Sequence, residues 1–245
     1  VIAAITAGGR VDSELAHAMG TTVKALAPIG TSTPLEAAIS GARAAGAERV
    51  VVIGGDEVRA RVGRLVDDMI EESSDGRANI RKAIGASGDK AFLLLASDMP
   101  FLTDIAITQF VLRATIADVA LPLASGSAYE RAYPGAPVHV TQIGRERIAN
   151  GSIVYFGPGV APKILDTCER LFSARKSLLR MAALLGPRLL VRYVMGRLAI
   201  DDIEARATQL FGIRARAIRD SDPALCFDID TIADYRYACE RADAR

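Results

Sequence analysis

Three acids, Asp98, Asp228 and Asp230, and one lysine, Lys24, that follows a glycine pair, Gly8-Gly9, are the residues of this chain whose types could act together. Carboxylates offer hard oxygen ligands of the kind Mg²⁺ takes. Glycines after a strand let backbone N–H groups approach an anion closely, a phosphate above all. A lone lysine on the loop that leaves those glycines could fold back to face the same anion. Together they sketch a nucleotide–metal site. Each also has a plainer local reading. Asp98 before Pro100 could open a turn, Asp230 or Thr231 could cap a helix, Gly8-Gly9 could be a tight turn, and Lys24 a solvated loop residue.

What decides between these readings is the set of elements that would position the residues. Phe92-Leu-Leu-Leu-Ala96 is uniformly apolar, as in a strand covered on both faces of a parallel sheet. Asp98 follows it almost at once, where open α/β sheets place their ligands. Val1 to Ile5 reads as a first strand leading into Thr6-Ala7-Gly8-Gly9-Arg10, and is too short for a signal peptide. The glycine loop is no Walker loop, because no Gly-Lys-Ser/Thr follows, and it lacks the third glycine of the dinucleotide fingerprint. Thr33-Pro34-Leu35-Glu36 predicts a helix start with a capping box. Arg49 to Ile53 predicts a strand, Val58 to Ile70 a helix, and Asn79 to Ile84 a shorter helix. This alternation predicts an α/β fold, a Rossmann-like, mostly parallel sheet flanked by helices.

Beyond Asp98 the pattern predicts a helix through Ile107, Phe110 and Val111, and a short strand over Asp118 to Leu121. Gly126 to Gly135 reads as a loop, Pro137 to Ile143 as an edge or antiparallel strand, and Asn150-Gly151 as a turn into a strand ending at Phe156. Val160 to Gly212 is helical in pattern, with breaks at Gly186-Pro187 and near Gly196, and a second capping box at Asp201 and Glu204. Arg214 to Ile218 and Leu225 to Asp230 read as final strands, the latter placing Asp228 and Asp230 on one face. Thr231 to Ala242 is a closing helix.

Composition narrows the function classes. Half of the 245 residues are hydrophobic and the net charge is +1, which gives no electrostatic case for a nucleic-acid partner. The three cysteines, Cys168, Cys226 and Cys239, have no metal spacing, and an odd count suits a reducing cytoplasm. No stretch is long and clean enough to span a membrane. Neither a repeat nor a linker divides the chain, so one domain over residues 1–245 is expected.

Four segments in order carry a family resemblance: Ala7-Gly-Gly, Lys24-Ala-Leu-Ala-Pro-Ile-Gly, Ser97-Asp-Met-Pro and Phe227-Asp-Ile-Asp-Thr. They resemble the GT-A-type nucleotidyltransferases, and among these the MobA-like NTP transferase group. The resemblance implies transfer of a nucleotidyl group from an NTP to a small, phosphorylated acceptor, with Mg²⁺ as cofactor and pyrophosphate as product. It implies that Ala7, Gly8 and Gly9 line the base and phosphates, that Ser97 and Asn79 lie on the nucleotide side, and that Lys24 neutralises phosphate charge. Asp98 and Asp230 would hold the metal with Asp228 assisting, and Asn150-Gly151 would face the acceptor. One departure stands out. Many members carry Arg-x-Gly before the motif lysine, where this chain reads Ala18-Met19-Gly20; Arg10 could substitute.

Two other functions share these features: a GT-A glycosyltransferase using a nucleotide-sugar, and a non-catalytic nucleotide-binding protein on the same fold. Residues 163–212 are the least family-like part. Leu178, Leu179, Ala182 and Leu185, then Leu189, Leu190, Tyr193 and Val194, recur at helical spacing among Arg175, Lys176, Arg180, Arg188, Arg192 and Arg197. They read as a helical insertion packed on the sheet or on a second subunit of a homodimer, with snorkelling arginines. A membrane-surface helix over 175–199 is the less favoured reading.

Overall fold

The computed structural model of the chain describes residues 1–137, 139–174 and 186–243. The strands are β1 (Ile2–Thr6), β2 (Arg49–Gly54), β3 (Asp68–Glu71), β4 (Phe92–Ala96), β5 (Val119–Ser125), β6 (Thr141–Ile143), β7 (Glu146–Asn150), β8 (Ile153–Phe156) and β9 (Ala215–Ile218). The helices are α1 (Ser13–Met19), α2 (Pro34–Ala44), α3 (Asp56–Val62), α4 (Gly76–Gly85), α5 (Asp104–Ala114), α6 (Gly126–Ala132), α7 (Val160–Lys163), α8 (Leu165–Ala174), α9 (Pro187–Val194), α10 (Ile200–Phe211) and α11 (Ile232–Asp243).

The strands form one sheet in the order β3-β2-β1-β4-β8-β5-β7-β6, with β9 paired to β5. β3, β2, β1 and β4 are parallel, and their register is what matters for function. Thr6 lies level with Ile53 and with Ala96, and Gly54 with Glu71. Four chain segments therefore leave the sheet at one edge: Ala7-Gly8-Gly9, Gly55, Glu72-Ser73 and Ser97-Asp98. β8 runs antiparallel to β4, so the segment entering it, Gly151-Ser152, lies at that edge too. Leu93 and Leu95 of β4 pack on one face of the sheet with Leu35 of α2 and Ile107 and Phe110 of α5, all buried. Phe92 packs on the other with Ile84 of α4 and Val160 and Ala161 of α7. The covered strand read from Phe92 to Ala96 is thus β4, and the strands read at Val1 to Ile5 and Arg49 to Ile53 are β1 and β2.

Helix starts follow their caps. The Thr33 hydroxyl accepts from Glu36 N–H at 3.3 Å while the Glu36 carboxylate accepts from Thr33 N–H at 2.9 Å, the predicted capping box. The second predicted box differs. At α10 it is Asp202, not Asp201 or Glu204, whose carboxylate accepts the backbone N–H of Ala199, at 2.9 Å.

Four further expectations are corrected. The helix predicted over Val58 to Ile70 ends at Val62, and Asp68–Glu71 becomes β3. The open ladder of β2 takes a partner, and Asp67 fixes the entry by accepting Val50 N–H at 2.6 Å. Gly126 to Gly135 is not a loop throughout: Ser125 caps α6 by accepting Ala128 N–H at 3.2 Å, and Tyr129 is buried beneath the helix. Of Pro137 to Ile143 only Thr141–Ile143 is strand, and Val138 lies outside the described residues. Leu225 to Asp230 forms no ladder: a single 3₁₀ turn, Pro223–Leu225, leads into an extended segment.

The helical pattern after Val160 holds in α7, α8, α9 and α10, with the breaks at Gly186 and Gly196 both at positive φ. Arg175, Lys176, Leu178, Leu179, Arg180, Ala182 and Leu185 lie outside the described residues. On α9, Leu189 is buried, whereas Leu190, Tyr193 and Val194 are exposed, so that helix does not pack its whole apolar set on the sheet. Among the described residues no helix is long and apolar enough to cross a membrane.

Candidate active site

The in-register strand ends open onto a cavity of about 880 Å³. One wall is the glycine loop, Gly8 to Arg10, with Lys24. Glu72 to Ser74 and Asn79 of α4 line the cavity as well, Glu72 lying directly against the loop through Arg10. The floor is β4 running out to Ser97 and Asp98, with Gly151 and Ser152 beside it.

The loop after β1 does fold back, and backbone does it. Arg10 and Val23 form an antiparallel bridge, and Lys24 N–H donates to Gly9 C=O at 2.9 Å. The Lys24 ammonium then stands between two carboxylates, 2.6 Å from Asp98 Oδ2 and 2.5 Å from Asp230 Oδ1. Burial alone would lower the lysine's pKa; Asp98 and Asp230 outweigh it and the pKa rises above its ordinary value. Asp228 lies behind them, with Ser152 Oγ donating to its Oδ2 at 2.7 Å. Burial, with the nearby Asp98 charge, pushes its carboxyl up to about 7.

The three acids come from two sources. Asp98 sits just past a buried parallel strand. Asp228 and Asp230 sit on the extended segment, which is tied to the site by two backbone bonds: Ser152 N–H to Leu225 C=O at 3.1 Å, and Ile229 N–H to Asp98 C=O at 3.1 Å. Alternation still sets Asp228 and Asp230 toward Lys24 and Asp98 although no ladder forms.

Could these acids hold a divalent cation? Among the described residues no group of three His, Cys, Asp or Glu is gathered as a metal site. Mg²⁺ does not demand one, since it commonly takes one or two carboxylates and fills its remaining positions with phosphate oxygens and water. Two buried oxygens, Asp98 Oδ1 and Asp228 Oδ1, have no hydrogen-bond partner. Orphaned carboxylate oxygens are costly unless something positive meets them. The donor set fits a hard cation shared with a phosphate ligand.

The remaining predicted residues fall into two groups. Gly8, Gly9, Arg10, Asn79, Ser97 and Gly151 line the cavity. Within it, Ser97 Oγ donates to Thr6 C=O at 2.7 Å, joining the ends of β1 and β4. The Asn79 amide is engaged at both ends with the backbone of Ser73, at 2.6 and 2.8 Å, so it braces the wall. Gly151 is required sterically: a Cβ there would overlap Pro122 Cγ and stand 2.6 Å from the Leu225 carbonyl oxygen. Ala7 and Asn150 do not line the cavity. Ala7 is buried, its N–H donating to Ile53 C=O at 2.8 Å, and Asn150 ends β7 with its side chain exposed.

Sequence reasoning missed Glu72, Ser74 and Ser152. Glu72 pairs with Arg10 at 2.5 Å, and its Oε2 occupies the place that a Cβ on Gly8 would take. Gly8 thus makes room for a carboxylate lodged on the glycine loop. The acid run Glu71-Glu72 was visible, but its place depends on β3, which the sequence pattern hid inside a helix.

The MobA-like NTP transferase domain model matches residues 3–196. No curated protein matches the chain. Among solved structures, the chain is similar to a hypothetical transferase from Thermus thermophilus, with a TM-score of 0.84 and 24% identity over 96% of this chain and 99% of that one. It is similar to a nucleotidyl transferase from Methanothermobacter thermautotrophicus, with a TM-score of 0.58 and 15% identity over 99% and 97%. A third similar structure is 2-C-methyl-D-erythritol 4-phosphate cytidylyltransferase, also from Thermus thermophilus, with a TM-score of 0.57 and 18% identity over 99% and 98%. At such identities these likenesses establish the fold, the nucleotidyltransferase fold, here with helices toward the C-terminus.

Proposed function

The chain belongs to the MobA-like NTP transferase family, and from that premise we propose that it transfers an NMP group from an NTP to a small, phosphorylated acceptor, releasing pyrophosphate. The observation that carries this reading is the Lys24 ammonium held between Asp98 and Asp230 at the mouth of a glycine-lined cavity.

In the reaction an acceptor oxygen attacks the α-phosphorus. The bond from that phosphorus to the bridging oxygen breaks, and the electron pair leaves with pyrophosphate. Negative charge grows on the phosphate oxygens, so the protein's task is to hold the reactants in line and offset that charge. Gly8 and Gly9 offer backbone close to the phosphates, with buried Ala7 fixing the turn. Lys24 supplies a positive charge on the leaving-group side. Arg10 stands on the glycine loop, while Ala18, in α1, takes the place of the arginine many relatives carry. Asp98 and Asp230, with Asp228, would hold Mg²⁺, which when bound supplies Lewis-acid stabilisation of the phosphate oxygens. Ser97 and Asn79 brace the nucleotide side. Gly151, with Asn150 beside it, borders the acceptor side. A phosphate acceptor is already anionic and needs no strong general base.

Incubating the protein with each NTP, Mg²⁺ and a panel of sugar and alditol phosphates, and following pyrophosphate, tests the proposal. Acceptor-dependent pyrophosphate release is expected. Sugar transfer from a nucleotide-sugar would replace it with the glycosyltransferase reading, and metal-independent NTP binding without turnover would replace it with a binding protein.

A further inference from the structure

Asp234 is 1% exposed, and every oxygen of its carboxylate is engaged. Its Oδ2 accepts from Asp230 N–H at 3.0 Å, Thr231 N–H at 2.7 Å and Thr231 Oγ1 at 2.8 Å. Its Oδ1 lies 2.7 Å from His139 Nε2. Thr231 Oγ1 in turn accepts from Asp234 N–H at 3.3 Å, which makes Thr231 to Asp234 a capping box at the start of α11. An ordinary capping box would end there, with the carboxylate facing water. Two additions set this one apart. The same oxygen also holds the backbone N–H of Asp230, and a histidine 95 residues away closes the other oxygen. The His139 ring also packs 5.2 Å from the ring of Phe227, which stacks at 5.7 Å on Tyr237 of α11.

Besides the Ile229 N–H bond to Asp98 C=O, the segment that carries Asp228 and Asp230 is therefore held at the Phe227 ring and at the Asp230 N–H; His139 packs on the first and meets the carboxylate that holds the second. Such fixing is needed because that segment has no ladder, and the Asp230 side chain is 64% exposed. Left to itself, an exposed carboxylate on an unpaired stretch would spread over several conformations. We propose that Asp234 and His139 are positioning residues that hold the peptide at Asp230 so that its carboxylate meets Lys24. The consequence for turnover rests on the nucleotidyl-transfer reading; the positioning itself does not.

The test reads Lys24 directly. The protein is treated with a limiting amine-acetylating reagent, and labelling of Lys24 is followed by peptide mass spectrometry relative to Lys82 and Lys90. Asp230→Ala provides the reference for a Lys24 that has lost one of its two carboxylates. His139→Ala is expected to raise Lys24 labelling several-fold toward that reference. His139→Gln, whose amide N–H can still reach Asp234, should return it close to the parent value. In the transfer assay the Mg²⁺ concentration for half-maximal rate should rise on the order of tenfold in His139→Ala, with the NTP KM moving less. His139→Asn, too short to reach Asp234, serves as a second disrupting variant should the alanine protein fail to fold. A lowered Tm in either disrupting variant, with Lys24 labelling and Mg²⁺ response unchanged, would overturn the assignment and leave the pair a purely structural one. Absence of pyrophosphate release by the parent protein would sink the functional reading alone, because the labelling ratio still decides the positioning.

Discussion

The parallel half of the sheet and the half beyond β4 contribute to the same cavity by different physical means. β3, β2, β1 and β4 end in register, so their outgoing segments are placed by ladder hydrogen bonds and by apolar cover on both faces. Asp98 inherits that rigidity. Asp228 and Asp230 arrive on an extended segment outside the sheet, held by isolated backbone bonds, a ring cluster and the buried Asp234 carboxylate. A buried strand places a residue by its own pairing; a segment without a ladder has to be placed by side chains. The two halves meet where Lys24 bridges Asp98 to Asp230.

The comparison can be broken most severely at Asp98. Asp98→Ala should remove several kcal/mol of transition-state stabilisation, on the order of 10³ in turnover, with Tm little changed. Near-normal turnover with intact Mg²⁺ dependence would show that the parallel half does not supply a metal acid.

Lys24→Ala comes next. A charge that matters as pyrophosphate leaves should cost about 10²-fold in kcat and much less in NTP affinity. Lys24→Arg should recover only part, because the planar guanidinium cannot take the ammonium's place between two carboxylates. Equal losses in kcat and affinity would make Lys24 a simple binding residue.

A glycine pair sharpens the contrast in packing. At Gly151 an added methyl meets the Leu225 backbone oxygen and the Pro122 ring, neither of which can move freely. At Gly8 it meets the far end of the flexible Glu72 side chain. Gly151→Ala should therefore cost about 1–3 kcal/mol in urea unfolding, and Gly8→Ala clearly less. The reverse order would mean that the second half yields more easily than its packing implies.

A pH dependence from Asp228 probes the same junction. Burial, with the Asp98 charge, raises its carboxyl from the ordinary 3.8 to about 7, so the folded chain keeps a proton that the unfolded chain has released. The stability from that proton is full below the unfolded value and is lost as pH rises through about 7. In chelator, Asp228→Asn should accordingly gain on the parent protein as pH rises from acid to about 8. A stability difference that stays constant with pH would refute this.

Much of the parallel half was legible in the chain itself. Phe92 to Ala96 can be little other than a covered strand, and Thr33 to Glu36 encode their own cap. Asp98 follows from both, since a strand end fixes what comes next. β3 was not legible, because Val58 to Ile70 carries an apolar pattern that a helix also satisfies, and only the open ladder of β2 decides the matter. With β3 hidden, Glu72 could not be placed on the glycine loop. Tyr129 in α6 was obscured by the charged residues around it. The His139–Asp234 contact spans 95 residues and leaves no local trace. Local rules carried the reading as far as pairing and capping go. Long-range register and side-chain anchoring lay beyond them.

The central claim is that the two halves deliver Asp98 and Asp230 to one shared positive centre. A double-mutant cycle on kcat with Asp98→Ala, Asp230→Ala and the combined variant tests it most directly. Acids that serve one cation act as a unit, so the double variant should be scarcely slower than Asp98→Ala alone. Losses that simply multiply would contradict the account and leave the two carboxylates with separate roles.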